Sequence, residues 1–204
     1  VLLHEKIVNM SIRQIPDYPI MVNRKYVEVE TERPRGIQLK VLHKYPLAIE
    51  QFLTSARIPE IVNRIDGPTI IYSEYVGTAF GPKKPSIIQQ LEDAVKAAGY
   101  SYDFYTGARH DGLEKFLKKQ VQVLIASRPI STGVDGLQKV CQNLIFNTLP
   151  WTNALYEQII GRVVRTGQVG TVVNIHHVKA TIGGYPYDET KLDRIKYKRT
   201  LADC

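Results

Sequence analysis

Three side chains in the last quarter of the chain have the types and spacing for phosphate chemistry: Gln158, Arg162 and Arg165. At about 100° per residue, spacings of four and three put all three on one narrow arc if the stretch 149–168 is helical. Guanidinium forks bond phosphate oxygens two at a time and keep their charge at any physiological pH. Two of them beside an amide would therefore stabilise a phosphoryl group in transfer. A solvated helix face would carry the same letters. Ahead of this stretch lies SRPISTGVDGLQ, residues 127–138. Its Ser131, Thr132, Gly133 and Gly136 let a phosphate approach the backbone closely, and Asp135 is an acceptor, although a plain turn uses the same residues.

The elements that must position these groups follow from the apolar pattern. Thr152 or Asn153 suits the start of the arginine helix and Gly167 its end. Leu155, Tyr156, Ile159, Ile160, Val163 and Val164 form an apolar arc of roughly 180° for packing on a sheet. From Gly67 onward, β-rich runs at 68–73, 100–106, 121–127, 142–148 and 170–178 alternate with helical stretches at 85–99 and 110–119. Near-continuous apolar strands separated by helices predict an α/β fold, doubly wound about a mainly parallel sheet. Ligands of such sheets sit beyond the carboxyl ends of the strands, which brings together the loops after Ser73, Thr106, Ser127 and Thr148. Earlier in the chain, residues 46–65 have helical spacing interrupted by Pro59, which predicts two short helices or one that stops there. Residues 21–30 read as a strand whose Arg24 and Lys25, with Arg33 and Arg35 beyond, suit a solvated sheet edge. The expected organisation is a lead-in of linker and strand over 1–45, the α/β unit over 46–180, and a turn with a basic helical tail over 181–204.

The chain has 204 residues, of which 44% are hydrophobic and 23% charged, enough for a sizeable core. Lys and Arg number 27 against 20 Asp and Glu, and the net charge of +7 favours a polyanionic partner, nucleic acid first. Cys141 and Cys204 stand far apart, without metal-ligand spacing, which points to a reducing, intracellular setting: cytoplasm, nucleoid or nucleus. His176 and His177 would point to opposite faces of a strand and make a poor metal pair. No apolar run approaches the roughly 20 residues of a membrane span, so no membrane partner is expected. A start at Val1 reads as a piece cut from something longer.

The string Gln158-x-x-Gly161-Arg162-x-x-Arg165-x-Gly167-Gln168 closely resembles motif VI of superfamily 2 helicases and translocases, and its closing Gly-Gln is similar to the Swi/Snf group. In the same order along the chain, IIYSEYV (70–76) resembles motif IV, Tyr105-Thr106-Gly107 the segment called IVa, and the loop around Ser131-Thr132-Gly133 motif V. Gly133-Val134-Asp135 departs from the Gly-Leu-Asn-like segment of Swi/Snf proteins and looks more like the wider superfamily. The resemblance implies a RecA-like helicase C-terminal lobe of an ATP-dependent nucleic-acid translocase, with double-stranded DNA favoured over RNA. It further implies Arg165 as arginine finger, Arg162 sharing that charge and Gln158 orienting the site. Gly133, Asp135 and Gly161 would lie at the nucleotide, and Ser73, Thr106, Gly107, Ser131 and Thr132 along a nucleic-acid strand. Lys83 and Lys84, in the turn-rich loop 77–86, are further candidates for that strand. Trp151 occupies the place of a Trp-Asn-Pro-like element, with core packing expected. The sequence contains neither a phosphate-cradling Gly-x-x-x-x-Gly-Lys-Ser/Thr loop nor an apolar strand ending in a magnesium carboxylate; Asp188-Glu189-Thr190-Lys191 matches an acidic box in letters only. ATP and Mg²⁺ are thus expected in the full-length protein, where an N-terminal lobe completes the site. The fragment alone is expected to be inactive and to hold no metal. A restriction-type translocase, an RNA helicase lobe or a non-catalytic nucleic-acid-binding adaptor would share these features.

Overall fold

The computed structural model describes residues 20–35 and 44–202, with side chains through Ile195. Residues 1–19 and 36–43 of the lead-in expected over 1–45, and Cys204, lie outside them. Each β-rich run becomes a strand: β1 is Met21–Thr31, β2 Thr69–Ser73, β3 Tyr102–Tyr105, β4 Val123–Ala126, β5 Asn143–Thr148 and β6 Val172–Ile182. Among the described residues these form one sheet in the order β1-β6-β5-β2-β4-β3, and every pairing is parallel. Parallel neighbours need crossovers, supplied by α1 Pro46–Val62, α2 Ile87–Ala97, α3 Gly112–Leu117 and α4 Asn153–Val163, while α5 Tyr187–Ala202 follows the last strand. The fold is the doubly wound α/β architecture that the alternating pattern predicts.

Strand periodicity sorts the core into two layers. Ile70, Tyr72, Leu124, Ala126, Leu144 and Phe146 point to the face covered by α3, α4 and the loop after β4. Their neighbours Ile71, Val123, Ile125 and Ile145 point to the face covered by α1 and α2. β1 pairs with β6 along its whole length, Met21 opposite Val172 through Thr31 opposite Ile182, so the sheet reaches back before residue 46. As the outer strand it leaves Lys25, Tyr26 and Glu28 exposed, the charged edge that deters pairing with another sheet.

Pro59 does not stop the first helix, contrary to the sequence expectation: α1 runs unbroken to Val62. A proline deprives the carbonyl four residues earlier of its donor, here that of Ser55. Both Pro59 and Ser55 are exposed, so the ring and the deprived carbonyl meet water instead of core. The helix is held from its other side by charge. Arg57, fully buried, donates Nη1 to Glu50 Oε2 at 2.8 Å and Nη2 to Asp188 Oδ2 at 2.6 Å. Lys191 Nζ reaches Glu50 Oε1 at 2.7 Å and the carbonyl of Leu149 at 2.9 Å. The letters Asp188-Glu189-Thr190-Lys191 therefore tie the tail helix to α1. Burial of Glu50 opposes its charge, but the two cations outweigh that and hold its carboxyl below the usual range. Among the described residues no helix is long and apolar enough to cross a membrane.

Candidate functional site

The loop after β4 begins at the carboxyl rim with Ser127, makes a 3₁₀ turn over Arg128–Ser131, and returns along the sheet's face to Leu137–Lys139 before β5. Gly133 and Gly136 have φ of 68° and 92°, left-handed values that glycine adopts without strain and that allow this reversal. α4 lies beside the returning loop. Thr152 caps its start by accepting from the N–H of Leu155 at 3.3 Å, and Tyr156, Ile159, Ile160 and Val163 bury its inner face.

The arginines do not share one helical face, as their spacing had predicted. The helix ends at Val163; Val164 leaves it with ψ of 83°, and Arg165 stands in the turn beyond. The cause is Gln168. Gly167, at φ of 83°, swings the chain back so that the buried Gln168 amide donates to the carbonyl of Val163 at 2.6 Å and to that of Cys141 at 3.0 Å, capping the helix from outside. Arg162 is not a free fork either. Its Nε donates to the carbonyl of Ser131 at 3.0 Å and its Nη1 to that of Val134 at 2.9 Å, with Nη2 also on Ser131. Partial burial, and then the like charge of Arg165, shift Arg162 below its ordinary value. Arg165 Nη1 lies 3.1 Å from Asp135 Oδ1, with 22% of its side chain exposed. Gln158 is exposed one turn before Arg162.

α4 descends from the rim by 1.5 Å per residue, and Gln168 and Val169 meet Cys141 and Gln138 just ahead of β5. Arg162 and Arg165 thus border the face-lining loop, below the rim that bears Ser73, Thr106 and Gly107. Gly133 and Gly161 have open space where a side chain would be, and Gly133 and Thr132 are exposed, so a ligand can approach the backbone there. Ser131 is buried, its hydroxyl on the carbonyl of Arg128 at 2.9 Å, and its part in the loop is structural.

At the carboxyl rim, two expected hydroxyl contacts are turned inward. Ser73 is fully buried; it donates to the carbonyl of Tyr75 at 2.7 Å, accepts from Asn147 Nδ2 at 3.1 Å and meets Thr148 Oγ1 at 3.2 Å. Thr148 in turn accepts from the N–H of Glu74 at 2.6 Å, so the pair stitches β2 to β5 at the point where their register shifts. Thr106 is buried as well, accepting from the N–H of Arg109 at 3.3 Å to hold its loop, and leaves Gly107 exposed at the tip. Lys83 and Lys84 are exposed. Sequence reasoning passed over two rim cations: Arg109, stacked 3.7 Å from the ring centroid of Phe104, and Arg128, paired with Glu74 at 2.9 Å. Both closely follow a strand end, the signal that could have found them. Trp151 is half-buried, donating to Tyr75 Oη at 2.5 Å with Lys191 Nζ 4.4 Å from its ring centre.

Among the described residues no group of three or more His, Cys, Asp or Glu could hold a metal. His176 and His177 face opposite sides of β6. His177 Nε2 meets Tyr156 Oη at 2.9 Å, stacked between Tyr26 and Phe146, and burial pulls its pKa down to about 4. Burial pushes the Cys141 thiol up to about 12, where it is unreactive.

A parallel sheet wound on both faces, with a glycine loop and an arginine segment joined across one of them, defines a RecA-like lobe of the helicase C-terminal type. The chain belongs to the helicase conserved C-terminal domain family, whose model matches residues 53–167, more than half of its length. It is similar to an uncharacterized ATP-dependent helicase of Bacillus subtilis strain 168, YqhH, at 27% identity over 120 residues, covering 59% of this chain and 20% of that protein. Its fold is similar to a DEAD box protein of the hyperthermophile Methanococcus jannaschii (TM-score 0.55, 16% identity, 87% of this chain and 39% of the other). The C-terminal part of the Fun30 ATPase domain is similarly alike (TM-score 0.55, 15% identity, 76% and 52%). So is the E. coli DEAD-box protein SrmB, solved bound to the regulator of ribonuclease activity A (TM-score 0.53, 12% identity, 87% and 85%).

Proposed function

We propose that this chain is the second motor lobe of an ATP-dependent nucleic-acid translocase or helicase of superfamily 2, closest in motif VI to the Swi/Snf group, with duplex DNA favoured over RNA. The observation that carries this reading is the union of the two motifs: Arg162 clamps the Ser131–Val134 backbone, and Arg165 stands beside Asp135 with 22% of its side chain exposed. Arg165 then acts as the arginine finger, turning from Asp135 to a nucleotide phosphate held by an N-terminal lobe. Such a finger contributes about 10³–10⁵ in turnover. Arg162 positions the loop and adds its charge from behind, and Gln158 lines the approach. In this reading the triphosphate and its magnesium belong to the N-terminal lobe, because this sequence carries no Gly-x-x-x-x-Gly-Lys-Ser/Thr loop of its own. Gly133 and Thr132 transmit the state of that site to the rim, where Gly107, Lys83, Lys84 and the arginines at 109 and 128 meet the strand.

The test is Arg165→Ala in the longer protein that contains this lobe. Nucleic-acid-stimulated ATP hydrolysis should vanish while the lobe still unfolds cooperatively; near-normal turnover removes the assignment. Stimulation by duplex DNA set against RNA of matching sequence decides the substrate preference.

A further inference from the structure

The loop between β2 and α2 is a closed knob. The N–H groups of Ile87 and Ile88 donate to the carbonyls of Gly77 at 3.0 Å and Val76 at 3.2 Å, shutting its base. Inside, one buried amide organises it: Gln51, 4% exposed, donates to Thr78 Oγ1 at 3.0 Å and to the carbonyl of Pro85 at 2.7 Å, and accepts from the N–H of Ala79 at 2.7 Å. Thr78 Oγ1 also accepts from the N–H of Phe80 at 3.2 Å. This scaffold presents Phe80 with 44% of its surface in solvent, Lys84 Nζ 4.7 Å from its ring centroid and Lys83 alongside. β2 lies between β4 and β5, so the knob rises from the middle of the carboxyl rim, next to the loops that start at Ser127 and Leu149. An exposed aromatic ring carried beside cations on a backbone fixed by these bonds offers a base a stacking partner at reduced entropic cost.

We infer that Phe80 stacks on an unpaired base while Lys83 and Lys84 contact the flanking phosphates. This rests on the nucleic-acid reading of the lobe and narrows it: the preferred substrate has a single-stranded segment or junction at the rim. A paired base inside a duplex has no free face for the ring.

The experiment uses the chain with a 12-nucleotide single strand carrying 2-aminopurine, and with a blunt duplex of the same sequence, titrated at several salt concentrations. Phe80→Ala should weaken single-strand binding about tenfold and abolish the quenching of 2-aminopurine, leaving duplex binding and the salt slope unchanged. Phe80→Trp should restore both signals, which shows that the knob itself is intact. Lys83→Gln with Lys84→Gln should reduce the slope of log affinity against log salt by up to about 1.4. Unchanged single-strand affinity and quenching in Phe80→Ala, or an equal loss on both substrates, overturns the inference while the nucleic-acid reading stands. Failure of the chain to bind either substrate at low salt overturns both.

Discussion

Arg162→Ala separates what the two motif arginines do. In the folded chain the Arg162 guanidinium serves two backbone carbonyls, those of Ser131 and Val134, from a partly buried position. Hydrogen bonds from a charged donor contribute about 1.5–3 kcal/mol each. Water can reach the partly exposed site after truncation, so the lower end applies, and the expected loss is about 3 kcal/mol for both carbonyls together. For a chain of this size that is a fall in melting temperature of roughly 6–12 °C. Arg162→Lys, which can serve one carbonyl at a time, should lose about half as much. Arg165→Ala removes the ion pair to Asp135, whose side chain is 73% exposed, and should cost less than Arg162→Ala. Urea unfolding of the three variants, followed by circular dichroism with a constant m-value, gives the comparison. If Arg162→Ala stays within about 0.5 kcal/mol of the parent, the clamp contributes no stability and its role in positioning the loop fails with it.

Two further outcomes follow from buried charge. Arg57→Met leaves Asp188 and Glu50 in the interior without their shared cation and should cost about 3–5 kcal/mol in chemical denaturation; a loss under about 1 kcal/mol would mean that the network is not ionised. His177, held neutral by burial with a pKa near 4, takes up its proton in the unfolded chain near 6.5. The folded chain therefore binds fewer protons between those values. Its stability is fully present above about pH 6.5 and falls on acidification toward pH 4, by up to about 1.4 kcal/mol per pH unit. His176 titrates over the same window, its pKa also pulled down to about 4 by burial, so His177→Phe should remove about half of this dependence, and an unaltered slope would assign it to other groups.

The fold was legible because its information is local. Strands β2 to β6 are runs of apolar β-formers, and the helices between them repeat at their own period. A parallel sheet is what that alternation can close into. Motif order was legible too, since spacing along the chain needs no coordinates. The placement of side chains was not. Pro59 reads as a stop until α1 is seen to turn it toward water. Ser73 and Thr106 read as surface hydroxyls because they end strands, yet each satisfies a backbone group that its own loop would otherwise leave bare. Asp188 and Lys191 read only as letters in a tail helix, because their partners Arg57 and Glu50 come from a helix far away in the sequence.

The amino-acid sequence by itself determined the class of fold, the chain order of the motifs and the candidate arginines, through periodicity and residue type. Only the tertiary structure decided that Arg162 clamps the loop and that Arg165 pairs with Asp135. That choice depends on where α4 ends, and α4 ends where Gln168, from beyond the turn, reaches back to the Val163 carbonyl and to Cys141. Such a cap exists only once the loop ahead of β5 lies beside the helix, so no window of sequence contains it.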